Sequence, residues 1–546
     1  MNKFSKTLLI ALSMSAVLFA GCSTKKTANP SEYSSDLGYI PESFIPKEVG
    51  MTFGYQVKGD TNNEPFLDYL SEQLDSQLSE DGSLNFEEDI LPALGEEFRM
   101  SFGSLPSEVE GETRAFLAAT LEDAEAMENV LETLVDSGQM DFTKLNKADV
   151  YVSSDGGFYA GLYEDVLLTS SSAEDILFML DLKDEESLWS NEEYQAALVD
   201  VGADALLHLV LFPGNFSDEE AVAGITGAGF PNVIDYQALA VNTGEDGYLF
   251  DVYIVADEEE AAELGFAFDA VPSSKPYLSK EMPADDLMLY FESFGLQQSF
   301  ELASALEGDS NQFAGLEDFF RAYFSMDFEE EVLSFWDKGY ALAVQKNGEG
   351  VVPGVSLLID VSSDKELAAD FLTKLDGQIG GLMFLFEASL PGAVTKGKAT
   401  IAGAEFDLLD VDLTALEGFN TGHAPLPTSV TSSVIRLAYG MLSDDRLLIT
   451  TAKVWEEEFV TLEDGDLYKT LAPELGKLSE GLVFLDAQEL SGYASSLRSL
   501  REQLELGVAD TALGLEDILA MFEGGILASE SSATRTHFGG FLKLSE

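Results

Sequence analysis

Asn85-Phe86-Glu87-Glu88-Asp89-Ile90-Leu91 and Asp327-Phe328-Glu329-Glu330-Glu331-Val332-Leu333 are one pattern used twice along this chain. Seven residues beyond each leucine an aromatic, Phe98 or Tyr340, opens a stretch of period-two alternation. Phe98, Met100 and Phe102 share one face of the first stretch, as Tyr340, Leu342 and Val344 share one face of the second, which is the spacing of a β-strand. The rest of the chain can be read outward from this pair, and the early correspondences sit about 240 residues apart.

Upstream, Ile45-Pro46 and Met282-Pro283 each precede a strand. The first strand alternates Val49, Met51, Phe53, Tyr55 and Val57 with Gly50, Thr52, Gly54 and Gln56. Its counterpart carries Leu287, Leu289 and Phe291. Phe66, Leu70 and Leu74 then recur at helical spacing. Downstream, strand Ala115–Leu121 leads into a helix from Asp123, and strand Val355–Val361 into a helix from Ser363 with Glu366 completing a capping box. These helices are expected to bury Ala126, Val130, Leu131 and Leu134, and Leu367, Phe371, Leu372 and Leu375. Asp165-Val166-Leu167-Leu168-Thr169 returns as Asp445-Arg446-Leu447-Leu448-Ile449, and each is followed by helical segments and a strand, Ala205–Phe212 or Gly481–Leu485. Each half ends in a hairpin. The first runs Tyr236–Val241 through Glu245-Asp246-Gly247 into Tyr248–Val255, and the second pairs Ile526–Ser529 with Phe538–Leu544.

The expected fold class is therefore α+β: two tandem related domains, each a mainly antiparallel sheet with helices packed on one face. The copies span 40–280 and 281–546. The second carries an insertion near 380–430 that holds Gly- and Pro-rich turns and a strand-like Lys398–Phe406.

The N-terminus reads as an address. Lys3 and Lys6 precede an apolar run, Thr7 to Phe19, that is too short to span a bilayer of about 30 Å. Leu18-Phe19-Ala20-Gly21-Cys22 follows, with Phe19 where lipoprotein signals commonly carry Leu. Residues 1–21 are thus expected to be a lipoprotein signal peptide cleaved between Gly21 and Cys22. The Cys22 thiol takes a diacylglycerol, and 22–39 serves as a flexible tether. The expected place is the cell membrane or the outer membrane, on its extracytoplasmic face. Ser23 leaves transfer to an outer membrane open.

Composition narrows the partners. Against 29 Lys and Arg stand 99 Asp and Glu, a formal charge of −70. Such a surface repels nucleic-acid phosphates and anionic headgroups, so membrane contact is expected only through the N-terminal lipid. An envelope protein or a glycan is the expected partner, and divalent cations are a further candidate. The chain's one cysteine is Cys22, so no disulfide or thiol nucleophile is expected in the body.

On the strand opening Pro283-Ala284-Asp285 to Tyr290, on Asp89-Ile90-Leu91-Pro92-Ala93-Leu94-Gly95, and on Asp165–Thr169, the sequence resembles a family of large bacterial envelope proteins. Members are often lipoproteins or single-anchor proteins, and the family is classed as a domain of unknown function. The resemblance covers about 40–546. After Pro46 the first copy departs from it, reading Lys47-Glu48. It implies no activity and assigns no residue a role.

Chemistry-bearing motifs point the same way. His208 lies within Leu206-Leu207-His208-Leu209-Val210, where a hydrogen-bonded or edge-facing histidine is expected; His423 falls in a loop and His537 near a hairpin. There is no His-x-x-x-His, no Gly-x-Ser-x-Gly elbow, and no Lys-Ser/Thr beside Gly377, Gly380 and Gly381. Gly156-Gly157 reads as a hairpin turn, and Gly403 opens no dinucleotide fingerprint. Asp257-Glu258-Glu259-Glu260 reads as a helix start, where carboxylates complement the dipole. Trp189, Trp336 and Trp455 are expected in cores. No catalytic, cofactor or metal residue is assigned. The leading expectation is a non-enzymatic binding or scaffold module of the envelope. The alternative is a carboxylate-based hydrolase acting on envelope polysaccharide, whose paired acids no motif singles out.

Overall fold

The strand that follows Ile45-Pro46 and the strand that follows Met282-Pro283 each open a sheet built by antiparallel pairing. In this computed structural model the described residues are 40–545, apart from 58–85, 96–97, 107–112, 146–147, 155, 203–204, 216–232, 245, 265–266, 271–273, 299–313, 348–351, 390–391, 413–433, 457, 479 and 504–518. The chain forms two compact units: Met1–Gly265 with Thr534–Gly539, and Phe266–Ala533 with Gly540–Glu546. The division falls near 265 rather than at 280, and a short C-terminal segment counts with the first unit.

The first unit contains β1 (Met51–Val57), β2 (Phe98–Pro106), β3 (Thr113–Thr120), β4 (Met140–Leu145), β5 (Ala148–Ser153), β6 (Tyr159–Tyr163), β7 (Val166–Ser170), β8 (Leu207–Leu211), β9 (Ile234–Thr243) and β10 (Gly247–Ala256). Their pairing order is β4-β5-β6-β7-β3-β2-β1-β8-β9-β10, antiparallel at every step. The second unit contains β11 (Leu287–Ser293), β12 (Tyr340–Gln345), β13 (Gly354–Asp360), β14 (Val394–Ile401), β15 (Ala404–Asp412), β16 (Val434–Ser443), β17 (Arg446–Thr450), β18 (Glu480–Asp486) and β19 (Phe522–Ser532). The chain's last strand, β20, is Arg535–Leu544. Here the order is β14-β15-β16-β17-β13-β12-β11-β18-β19, with β20 beside β19. Strand for strand it is the order of the first unit.

The quoted pattern folds alike in both places. Phe86–Ile90 is a π-helical turn running into the α-turn Leu91–Leu94, and Phe328–Val332 a π-helical turn running into Leu333–Trp336. The prolines mark a shared clasp: Pro46 bridges to Ser187 and Pro283 to Thr461. Beside these bridges Leu188 N–H donates to Ile45 O, and Leu462 N–H to Met282 O, each at 2.7 Å. All four of these apolar side chains are buried.

Several expectations shift in detail. Tyr340 takes the ladder place of Met100 rather than Phe98. Met100 faces Ala119 and Tyr340 faces Ile359, two residues short of Leu121 and Val361, whose N–H groups donate to Asp165 O and Asp445 O. A slip of two leaves each side chain on its face, so the alternation reads the same. In β11 the fully buried side is Met288, Tyr290 and Glu292, while Leu289 and Phe291 are half-buried. The second crossover helix is capped by Asp364, which accepts from Leu367 N, rather than by Ser363, whose hydroxyl donates to Ser334 O. Leu131 and Phe371 are buried as expected, while Met127 takes the buried place expected of Ala126 and Ala368 that of Leu367. The helix expected at Phe66, Leu70 and Leu74 lies outside the described residues.

Lys398–Phe406 is not a single strand within an insertion. It spans the hairpin β14–β15, the counterpart of β4–β5; the second unit is longer both at the helix Lys365–Ser389, against Ala124–Asp136 in the first, and between β15 and β16, where residues 413–433 lie outside the described residues. Ala402 (φ 47°) and Gly403 (φ 87°) form its two-residue turn. Positive φ at both places is the type I′ geometry that suits hairpin twist.

In the first unit, helices Ala173–Asp181 and Glu192–Val201 pack onto the face that carries Phe116, Ala118, Val166, Leu168 and Val210. In the second, Lys365–Ser389 packs with the π-helical turns and with Ile359 and Leu447. Trp455 is fully buried on the opposite sheet face, its indole N–H donating to Ser356 Oγ at 2.9 Å.

An L-residue in the left-handed region costs about 1–2 kcal/mol, and Asn tolerates it better. Ala402→Asn is therefore expected to stabilise the second unit by up to about 1 kcal/mol in urea unfolding; a loss of stability would contradict the turn assignment.

Candidate functional site

The strongest concentration of titratable groups in the first unit is built around Glu42. Pro41 starts a 3-10 turn, Pro41–Phe44, that carries Glu42 inward beneath β2. Its Oε1 accepts from Arg99 Nε (3.1 Å), Arg99 Nη2 (2.7 Å), Ser101 Oγ (2.6 Å) and Tyr194 OH (3.2 Å). Tyr194 enters from the helix Glu192–Val201, whose first turn Asn191 caps by accepting from Tyr194 N. The phenol also lies 2.9 Å from His208 Nε2. With its one proton given to the carboxylate, the phenol oxygen accepts from the Nε2–H tautomer of His208. Arg99 further faces the ring of Trp189 at 5.9 Å.

The sequence makes room for this cluster at one glycine. Gly54 pairs with His208 across β1 and β8, and a Cβ there would fall inside the imidazole. Glu42, Ser101 and Tyr194 are 0% exposed and His208 3%, so these groups are closed to a substrate.

Burial sets the electrostatics. It pushes His208 down to about 4, and the Arg99 charge adds to this while Glu42 opposes it. Burial alone would raise Glu42, yet Arg99, the Ser101 hydroxyl and His208 together bring it below the ordinary glutamate value. Tyr194 is pushed well above its usual range, first by burial and then by Glu42.

The second unit meets the same demand differently. Glu292 occupies the ladder place of Gly54, since Gly54 pairs with Ser101 and Glu292 with Ala341. Its Oε1 accepts from Tyr277 N (2.7 Å) and Leu278 N (3.0 Å), and its Oε2 from Ser279 N (3.3 Å) and Tyr290 OH (2.6 Å). Burial outweighs these donors, and its carboxyl is raised. Nearby, Arg446 bridges Glu281 Oε1 (2.8 Å) and Asp360 Oδ2 (3.0 Å) with its guanidinium over the Tyr277 ring. Asp360, pushed up by burial, is brought low overall by hydrogen bonds from Ser362 and Tyr277 and by the Arg446 charge.

Of the residues singled out in the sequence, Gly21 and Cys22, the 1–21 signal and the 22–39 tether lie outside the described residues, as does His423. His208 is the hydrogen-bonded core histidine expected of it. His537 Nε2 lies 2.6 Å from Asp251 Oδ1. Asp257 caps its helix, accepting from Glu260 N at 2.7 Å, and Asp123 caps the helix after β3 in the same way through Ala126 N. Glu42, Arg99 and Tyr194 escaped sequence reading. The one available signal was Arg99, a lone base in the apolar run from Phe98 to Phe102. Among the described residues no group of three or more His, Cys, Asp or Glu is gathered to hold a metal, and no helix is long and apolar enough to cross a membrane.

Comparison with known proteins places the chain in a family. It belongs to DUF3352, proteins of unknown function, which it matches over residues 64–513. No curated protein matches it. Among solved structures it is similar to crystal forms I, III and IV of TP0453. Identities are 10%, 9% and 11% and TM-scores 0.26, 0.26 and 0.25. The matches cover 40%, 44% and 40% of this chain and 79%, 89% and 80% of those chains.

Two outcomes are expected of the Glu42 cluster. Glu42→Gln leaves the buried Arg99 guanidinium without its countercharge and is expected to cost about 3–5 kcal/mol of unfolding free energy; a cost below about 1 kcal/mol would contradict the buried Glu42–Arg99 pair. The second outcome concerns pH. His208 titrates near 6.5 when unfolded and near 4 when folded, so between these values the unfolded chain binds the extra proton. Stability is therefore lost as pH falls through this window, by about 3 kcal/mol. His208→Gln is expected to flatten the pH profile of unfolding between 6.5 and 4; an unchanged profile would contradict the assignment.

Proposed function

We propose that this chain is a lipid-anchored extracytoplasmic protein whose body is a non-enzymatic binding or scaffold module of the cell envelope. The observation that carries the anchoring is Leu18-Phe19-Ala20-Gly21-Cys22 after a short apolar run headed by Lys3 and Lys6. One cysteine at that place, with none in the body, fits a thiol kept for acylation. Two or three acyl chains give lasting attachment where one does not.

The role of the body is supported by how its titratable groups are used. Glu42 and Arg99 neutralise each other, and Glu292 satisfies backbone N–H groups. These acids and bases are committed to holding segments in place, as in a protein that presents a surface rather than one that turns over a substrate. The −70 charge favours a partner that is neutral or cationic where it touches. An envelope protein or an uncharged glycan meets that condition, and divalent cations would screen the surface.

Expressed in a bacterium with an alkyne-labelled fatty acid, the full chain is expected to take up label and partition with membranes, and Cys22→Ser to do neither. A wild-type chain without label would overturn the anchoring. Release of sugar from peptidoglycan by the purified body, lost on substituting a single Asp or Glu, would overturn the non-enzymatic role.

A further inference from the structure

The first unit counts among its residues a segment from the far end of the chain, Thr534–Gly539. Its backbone continues the ladder at β10, where Ala256 N–H donates to Thr534 O at 2.9 Å. Its side chains then meet two acids of the first unit. Arg535 Nη2 lies 2.7 Å from Asp200 Oδ1 at the end of the helix Glu192–Val201, and the guanidinium covers the Tyr253 ring at 4.4 Å. His537 stacks on the same tyrosine: its imidazole and the Tyr253 ring are 4.1 Å apart and 8° from parallel. Its Nε2 reaches Asp251 Oδ1 at 2.6 Å. Tyr236 OH donates to Asp200 Oδ2 at 2.7 Å.

The two acids are deep. Asp251 is 3% exposed at its side chain and Asp200 10%. A buried carboxylate needs a facing cation or several donors, and it is strongly destabilising once left alone. Among the described residues the basic groups that face these two come from 534–539, after more than half the chain has intervened. Their neighbours Tyr236 and Tyr253 are phenols whose ionisation burial suppresses, so they add no negative charge beside the acids.

We infer that Thr534–Gly539 is a clamp that closes the first unit, which reaches its native stability only when the last residues of the chain are in place. Until then Asp200 stands without the Arg535 guanidinium and Asp251 without the His537 imidazole, and the outer strands β9 and β10 are held by their mutual pairing and by β8. The first unit of a growing chain thus stays open to exchange and proteolysis until residue 539 is available.

Hydrogen exchange on the full chain tests this. Arg535→Ala with His537→Ala is expected to speed amide exchange across residues 234–256 by about a hundredfold, the scale of an unpaired buried charge, while 340–360 exchanges as before. Adding Asp200→Asn and Asp251→Asn to that variant removes the stranded charges and is expected to restore most of the protection at 234–256. Unchanged exchange at 234–256 in the double variant would overturn the clamp. So would a loss of protection shared by both units, or confined to the first, that the added asparagines do not recover.

Discussion

A carboxylate buried where the first strand of each sheet meets the segment that leads into it is the constraint on which the remaining structure rests. Taking such a group out of water is costly, and the cost is recovered only when donors or a cation are held in good geometry. Glu42 obtains them from Arg99 and Ser101 on β2 and from Tyr194 on the helix Glu192–Val201. Glu292 obtains them from the backbone of Tyr277, Leu278 and Ser279. The direction differs, from segment to strand in one case and from strand to segment in the other, but the effect is the same. The chain entering the sheet has one path.

That path sets the register of the strands beyond it. With the lead-in segment fixed, Ile45 O and Met282 O stand where Leu188 N–H and Leu462 N–H can reach them, and the prolines next in sequence bridge to Ser187 and Thr461. Proline suits the place because the bridge bonds come from its neighbours, Lys47 N–H to Glu186 O and Ala284 N–H to Val460 O on the far side, so no N–H is required of the proline itself. Each first strand then takes its neighbours on both sides, β2 and β8 in one unit, β12 and β18 in the other. The exchange of Gly54 with His208 for Glu292 with Leu482 at matching ladder places shows how much the interior chemistry changed while the pairing order did not.

Most strands were legible because alternation is a local signal. The matches Asp165–Thr169 with Asp445–Ile449, and Ile45-Pro46 with Met282-Pro283, fall on matching strands and clasps. β4, β5 and β6 went unread. β4 is exposed along much of its length, so polar and apolar residues do not separate, and the hairpin turn read at Gly156-Gly157 falls between β5 and β6. Lys398–Phe406 looked like one strand because its turn, Ala402-Gly403, lacks the Asn or Asp that announces a type I′ hairpin. The two-residue slip at Tyr340 was invisible in principle, since a period of two cannot register it. The Glu42 cluster was hidden for another reason. The groups that donate to Glu42 are 57 to 152 residues from it in sequence, and nothing local marks a glutamate among many as the buried one.

Acids and bases that hold the body's own segments support the proposal of a protein that acts by being present at a surface, anchored through a lipidated N-terminus. The central claim beneath that reading is that β3 with β7 and β13 with β17 are one pairing made twice. Two cross-strand pairs at matching places probe it, Leu117 facing Thr169 and Leu357 facing Ile449. In a Cys22→Ser background, cysteines at either pair are expected to form an intramolecular disulfide on mild oxidation, whereas Leu117 with Leu168, or Leu357 with Leu448, should not, because those side chains point to opposite faces. Cross-linking in the offset pairs, or in only one of the two facing pairs, would contradict the account.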